Sequence, residues 1–261
     1  MRFSPKQVFL FFCHFVTSQV INEYKKIKQE TVDLGDSIYL LHVVSHETPS
    51  LLQGHNSFLF SYKSLSALGY TFIGKTLVPG HCHFPLLQFF SENPNYDYYW
   101  VIEYDVKFSG KWSHFFNYFR KIGKDFLTSN IRTYQERPNW PWWPSLRHPQ
   151  KLIPYEKCLR SFNPIYRISK SSLTFLDECL KNGWKGHNEV LLPTLLYRDG
   201  FSLMDFGGKG KFTPPELKNK FYTSSERGPL REGTLRYRPV FTEIGNEKNK
   251  LYHPVKLIKS K

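Results

Sequence analysis

No Cys-x-x-Cys spacing joins Cys13, Cys82, Cys158 and Cys179, so a disulfide framework is not expected and the thiols read as reduced, in a cytoplasmic setting. No apolar run is long enough to cross a bilayer, and no low-complexity tract interrupts a globular composition with 17% aromatic residues. Acidic residues are in deficit: 22 against 36 Lys and Arg, for a net charge of +14 and a pI near 9.5. Partners are therefore expected to be anionic, among nucleotides, phosphorylated lipids, a membrane surface and nucleic acid. A recognised nucleic-acid motif is also lacking, so nucleic acid is not expected, although a basic binding module using exposed aromatics stays as a rival reading.

What is present reads as α/β. With 261 residues, one large domain buries a core more economically than two small ones. Arg2 and Lys6 ahead of Val8 to Val16 imitate an export signal. That run carries His14 and leads to Thr17-Ser18-Gln19 rather than a small-residue cleavage site, which favours a first buried strand. Thr17 or Ser18 can cap a helix with Val20, Ile21, Tyr24 and Ile27 inward. Asp33-Leu34-Gly35-Asp36 stops it, and Ser37 to Val44 is the second strand. This strand-helix-strand unit is the start of a parallel sheet. It carries no Gly-x-Gly-x-x-Gly and no Walker lysine, against dinucleotide and P-loop enzymes.

After a polar loop from His46 to Asn56, Phe58 to Leu68 is expected to be helical and Tyr70 to Ile73 a short strand. Pro79-Gly80 opens a helix through Phe84, Leu87, Phe89 and Phe90 that ends near Asn93-Pro94. His81-Cys82-His83 invites a metal reading, but adjacent residues diverge on a helix, and packing or a ribose contact is favoured over ligation.

The stretch Tyr96-Asp97-Tyr98-Tyr99-Trp100-Val101-Ile102-Glu103-Tyr104-Asp105-Val106 is a buried central strand ending on two carboxylates. Strand alternation would point Glu103 and Asp105 the same way, where mutual repulsion calls for a cation between them. The carboxyl end of a central strand is also where open α/β sheets bind ligands. This is read as a metal and nucleotide site.

Ser109-Gly110 turns the chain into an aromatic helix from Trp112 to Tyr118, and Asp125 to Ser129 is another strand. The long loop from Arg132 to Pro149 holds Trp140-Pro141-Trp142-Trp143-Pro144. These tryptophans either stack on a sugar or base, or fold back as a satellite cluster. Ser161 to Ser169 is strand-like with one buried arginine, Arg167, and a helix through Leu173, Leu176 and Leu180 ends at Asn182-Gly183. In Gly186-His187-Asn188-Glu189, Asn188 can cap a helix with Glu189 in its first turn. Glu189 then either serves the helix dipole or acts as a general base. Phe206 to Lys211 is a glycine-rich basic turn that reaches phosphates or is a mobile loop. His253 alone reads as a surface histidine.

Together these pieces resemble a GT-A-type glycosyltransferase, closest to nucleotide-diphospho-sugar transferase-like proteins. The matching segments are Trp100 to Trp112 (W-x-I-E-Y-D-V-x-F-S-G-x-W), Gly186 to Glu189 and Tyr252 to Lys256 (Y-H-P-V-K). The resemblance implies a single GT-A-like, Rossmann-like domain over 1–261, with a mostly parallel central sheet flanked by helices. Its nucleotide-binding half would be 1–130 and its acceptor-side half, with the tail, 131–261. It further implies that Asp105 ligates a divalent cation, Mn²⁺ or Mg²⁺, that His253 completes the shell, and that Glu103 contacts ribose or metal. Lys256, with Lys209 and Lys211, would assist at the diphosphate, and Glu189 would deprotonate the acceptor hydroxyl. A glutamate at the first motif position departs from the usual pattern and weakens the ribose assignment. The expected partners are a nucleotide-sugar donor and a glycan or lipid-linked acceptor in surface polysaccharide synthesis, at the cytoplasmic face of a membrane with peripheral association. A non-catalytic scaffold of the same fold is the other rival.

Overall fold

A computed structural model describes residues 5–34, 37–44, 47–224 and 230–256. Arg2, Gly35-Asp36 of the expected helix stop, and His46 lie outside the described residues. The strands are β1 (Gln7–Cys13), β2 (Ser37–Val43), β3 (Ser57–Phe60), β4 (Tyr98–Glu103), β5 (Lys107–Phe108), β6 (Phe126–Thr133), β7 (Leu159–Ser169), β8 (Leu203–Asp205) and β9 (Leu251–Tyr252). The helices are α1 (Ser18–Thr31), α2 (Tyr62–Ser66), α3 (His83–Glu92), α4 (Trp112–Arg120), α5 (Lys170–Lys181) and α6 (Asn188–Arg198).

Seven strands form a central sheet in the order β3-β2-β1-β4-β7-β6-β8. Its pairs are parallel except those of β7, which runs against both β4 and β6. This is the mixed α/β, mostly parallel architecture expected. Successive strand residues face opposite sides, and both faces are covered. Val8, Leu10 and Phe12 of β1 join a cluster with α3, α5 and α6, while Phe9 and Phe11 join one with α1 and α4. That double burial explains the unbroken apolar runs of β1 and β4.

Local chemistry sets the element ends. Thr17 caps α1, its Oγ1 accepting from Val20 N at 3.3 Å, and Val20, Ile21, Tyr24 and Ile27 are buried. Arg167 of β7 is fully buried; its guanidinium donates to the carbonyls of Phe119, Ile122 and Lys124, and it lies 4.0 Å over the Tyr98 ring. It thereby closes the C-terminal end of α4 with a cation, where the helix dipole favours one.

Several expectations change. Phe58 to Leu68 is not one helix: β3 adds a parallel edge strand, and Ser61 then caps the short α2 through a reciprocal bond pair with Ser64. Tyr70 to Ile73 pairs with no strand; Tyr70 hydrogen-bonds Asp177, and Phe72 packs edge-on to Phe84. The helix expected from Pro79-Gly80 starts at His83, and the strand expected at Asp125 to Ser129 runs on to Thr133.

Two features aim at one edge of the sheet. The strand order reverses at β1, leaving a crevice outside the carboxyl ends of β1 and β4. Because β7 is antiparallel, its N-terminal residues reach that same edge. Between β6 and β7 the register slips around Ser129, with Asn130 at φ 51°. Thr128 and Ser129 hydroxyls donate to the Phe162 carbonyl, repairing the interrupted ladder.

Candidate functional site

Glu103 ends β4, and Asp105 follows in a turn closed by Val106 N donating to Glu103 O at 3.0 Å. The strand alternation expected to align the two acids therefore stops one residue early. The turn, not the pleat, brings Asp105 round. Asp105 is only 5% exposed, and its Oδ1 is buried without a hydrogen-bond partner. An orphaned carboxylate oxygen is costly in a dry setting.

The C-terminal segment supplies what faces it. β9 pairs antiparallel with β5, two residues past Asp105, and Val255 N donates to Asp105 O at 2.8 Å. Ser109-Gly110 is the dock for this return. Ser109 Oγ donates to Glu247 O at 2.6 Å and accepts from Lys250 N at 2.9 Å. At Gly110 an added Cβ would lie 2.2 Å from Asn249 Oδ1. His253 is thereby set over the acids, with Nε2 at 3.6 Å from Glu103 Oε2 and 3.5 Å from Asp105 Oδ1. Its Nδ1 lies 2.8 Å from Arg236 O. Because a carbonyl only accepts, that contact places the hydrogen on Nδ1 and turns the Nε2 lone pair of the neutral ring toward the carboxylates. Burial alone would lower the His253 pKa, but the Glu103 hydrogen bond and the charges of Asp105 and Glu103 raise it. Ligand atoms of Glu103, Asp105 and His253 all lie within 4.8 Å of one another. Lys256 Nζ stands 3.7 Å from Asp105 Oδ2. The structure thus brings Glu103, Asp105, His253 and Lys256 together.

Glu189 lies at the next station along the edge. It is in the first turn of α6, but His187, not Asn188, is the cap, with Nδ1 accepting from Glu189 N at 3.2 Å. The Glu189 side chain is 16% exposed. Burial raises its pKa to about 7 against the opposing pull of Arg160 and the Asn163 N–H, and Glu103 and His253 are within electrostatic reach. Burial and Arg160 push His187 down to about 3, so its 4.0 Å approach to Glu189 is no ion pair at neutral pH. Gly80, at φ +106°, lets the chain pass close to His187: a Cβ there would meet its Cδ2 at 3.2 Å.

The tryptophan loop packs back against the fold. Trp143 is buried in the main cluster, whereas Trp142 stacks on His187 at 4.8 Å and Trp140 lies edge-on to it at 5.9 Å. Trp140 and Trp142 are partly exposed beside His187, which caps the helix that carries Glu189.

Other candidates are absorbed by the fold. His81 accepts from Ile73 N at 2.8 Å, while His83 is buried with neither ring nitrogen partnered. The N–H groups of Gly207 and Gly208 donate to Asp205 Oδ1, which also accepts from Tyr222 OH. They are committed to a buried carboxylate and unavailable to a phosphate. Lys211 Nζ stands 5.1 Å over the Phe212 ring. Residues 69–76 spell Gly-Tyr-Thr-Phe-Ile-Gly-Lys-Thr, a match to the P-loop pattern. They follow α2 rather than a strand, and α3 begins only at His83, so the phosphate-cradling strand-loop-helix is not formed. A cavity of about 730 Å³ opens at the opposite end of β4, lined by Asp97, Tyr98, Asp125 and Glu178 among others. It shares no residue with the acid cluster.

Sequence reasoning missed Arg160, and also His14 and Phe15, whose rings pack edge-on to Tyr104 at 5.1 and 4.8 Å. The four cysteines are unpaired, and no helix of the described residues is long and apolar enough to cross a membrane.

A family described as Protein of unknown function (DUF3405) matches residues 51–147, under half of the chain. No curated protein matches. Among solved structures, galactosyltransferase LgtC in complex with donor and acceptor sugar analogues superposes with a TM-score of 0.47 at 11% identity, over 77% of this chain and 73% of that one. Glucosyl-3-phosphoglycerate synthase from Mycobacterium tuberculosis, in complex with Mn²⁺, uridine-diphosphate-glucose and phosphoglyceric acid, gives 0.43 at 13%, over 81% and 73%. A glycosyltransferase involved in glycosylation of the major capsid of PBCV-1 gives 0.35 at 10%, over 67% of this chain and 64% of that one, so the match spans under two thirds of that enzyme. These structural neighbours are glycosyltransferases; no residue role is taken from them, and the site rests on its own geometry.

Proposed function

We propose that the protein is a metal-dependent glycosyltransferase that moves a sugar from a nucleotide-diphosphate donor to an acceptor hydroxyl. The observation that carries this reading is the convergence of Glu103, Asp105 and His253 within 4.8 Å at the crevice edge, with one Asp105 oxygen buried and without a hydrogen-bond partner. Two carboxylates and an imidazole lone pair form a donor set for a Mn²⁺- or Mg²⁺-like cation. Asp105 and His253 would hold it, with Glu103 beside it or on the donor ribose. When bound, such an ion stabilises negative charge developing on a departing diphosphate. Lys256 adds a positive charge on the same side. Glu189 accepts the proton of the acceptor hydroxyl. The acceptor oxygen bonds to the anomeric carbon while the bond from that carbon to the diphosphate oxygen breaks, its electron pair leaving with the nucleoside diphosphate. A base poised near neutrality suits that proton transfer, and burial of Glu189 supplies the poise. The motif resemblance of Trp100 to Trp112 supports the same assignment. The acceptor is proposed to be a glycan or lipid-linked sugar, with peripheral membrane association favoured by the net charge of +14.

Thermal melting with a panel of nucleoside diphosphates, with and without Mn²⁺, tests the donor half. At least one diphosphate should stabilise the protein in Mn²⁺ only, by about 2.7 kcal/mol at a hundred times its Kd. Asp105→Ala should abolish that response. A melting temperature indifferent to every diphosphate in Mn²⁺ would reject the proposal.

A further inference from the structure

Beside the acids lies a group of the opposite charge. Arg132 of β6 and Arg160 of β7 stand directly opposite each other in the antiparallel ladder. Opposed residues of such a pair have Cβ atoms about 5 Å apart, and like charges there are destabilising. Both are nonetheless buried, at 4% and 6% exposure. Arg137 joins them: burial first, then the neighbouring guanidiniums, lowers the pKa of Arg137 and brings that of Arg160 to about 10. Carboxylates stand close to two of them. Glu136 lies 3.8 Å from Arg132, and Glu189 is within electrostatic reach of Arg160.

A second, independent observation points to a ligand. Arg160 Nε is buried with no hydrogen-bond partner, a donor whose desolvation is left uncompensated. Its guanidinium lies 4.6 Å over the Trp140 ring, and Trp140 in turn meets His187, the cap that positions Glu189. The unsatisfied Nε–H, the aromatic ring and the base are thereby joined through one chain of contacts, Arg160 to Trp140 to His187 to Glu189. A planar guanidinium fork matches the oxygens of phosphate and carboxylate better than any neutral hydroxyl.

We propose that Arg132, Arg137 and Arg160 form an oxyanion subsite for the acceptor, which carries a phosphate or carboxylate near the hydroxyl presented to Glu189. This rests on the transferase reading for the word acceptor, but the oxyanion site itself does not. Trp140 and Trp142 wall the carbon skeleton, and the guanidiniums hold its charged end, so neutral sugars are poor ligands.

Calorimetric titrations with glucose, glucose 6-phosphate, glucuronate and inorganic phosphate, in EDTA, test this. At least one charged sugar should bind tenfold or more tightly than glucose, with inorganic phosphate competing. Whichever charged sugar binds tighter identifies the phosphate or the carboxylate. Arg160→Gln and Arg137→Gln should each remove most of the preference, and Arg160→Lys should restore only part of it. If Arg160→Gln fails to fold, Arg137→Gln, at a partly exposed position, decides alone. Equal binding of the three sugars, or a preference that survives both substitutions, overturns the proposal. The same wild-type sample is then read for Mn²⁺-dependent stabilisation by nucleoside diphosphates. Loss of that response with the oxyanion preference intact refutes the transferase reading and leaves the subsite standing.

Discussion

Glu189→Gln should stabilise the protein while stopping its chemistry. The side chain is 16% exposed, and its pKa is raised from 4.5 to about 7, first by burial and against the pull of Arg160. At roughly 1.4 kcal/mol per tenfold in proton affinity, the fold carries an ionised Glu189 at a cost of about 3 kcal/mol, an upper limit given the residual exposure. A carboxyl whose pKa is raised on folding binds its proton more tightly folded than unfolded. The cost is therefore full above about 7, shrinks as pH falls toward 4.5, and vanishes below it. Gln mimics the protonated acid. Urea unfolding in EDTA should show the variant more stable by about 2–3 kcal/mol at pH 8, a gain of roughly 4–12 °C in melting temperature, converging with wild type by pH 4.5. Sugar transfer should fall by about 10²- to 10⁴-fold, as for loss of a general base. A variant less stable than wild type at pH 8, or a difference that does not close on acidification, would refute the reasoning. Unchanged transfer would remove Glu189 as the base.

Other perturbations separate the scaffold from the site. Arg167→Met leaves the carbonyls of Phe119, Ile122 and Lys124 without their donor and should cost about 3 kcal/mol or more in urea unfolding. Asp205→Asn turns a donor toward the N–H groups of Gly207 and Gly208 or of Ile131. It should cost about 3 kcal/mol with Mn²⁺ affinity little changed. Ser109→Ala removes the side-chain bonds of Ser109 to the returning chain, to Glu247 O and from Lys250 N, and leaves the backbone pairing in place. It should weaken Mn²⁺ binding by about tenfold, as loss of an outer-shell support does, with a smaller effect on global stability; unaltered affinity would show that the dock does not hold His253.

Much of this site could be read along the chain because its parts are local. The apolar run of β4 and the acids that close it are contiguous, and Thr17 with the 3.6-residue stripe of α1 spells a capped helix. Arg167 was legible as the one charge between Ser161 and Ser169. Failures came where tertiary contacts overrule local propensity. Tyr70 to Ile73 has strand composition, but its aromatics are used against α3 and its backbone is in no ladder. The Ser61–Ser64 box that separates β3 from α2 is a short polar signal inside an aromatic stretch. Arg160 was invisible for a different reason: its partners Arg132 and Trp140 reach it through strand pairing and a long loop, and nothing in its immediate neighbours marks it. His253 lay between. Its ligand-like surroundings come from a chain return fixed by Ser109 and β9, of which only the turn could be read locally.

The most direct measurement is anomalous diffraction at the manganese edge from crystals grown with Mn²⁺ and a stabilising nucleoside diphosphate. The account predicts a strong peak bonded to the Asp105 carboxylate and His253 Nε2, touching the diphosphate and absent from Asp105→Ala crystals. A diphosphate bound with its metal away from Asp105 and His253 would contradict it.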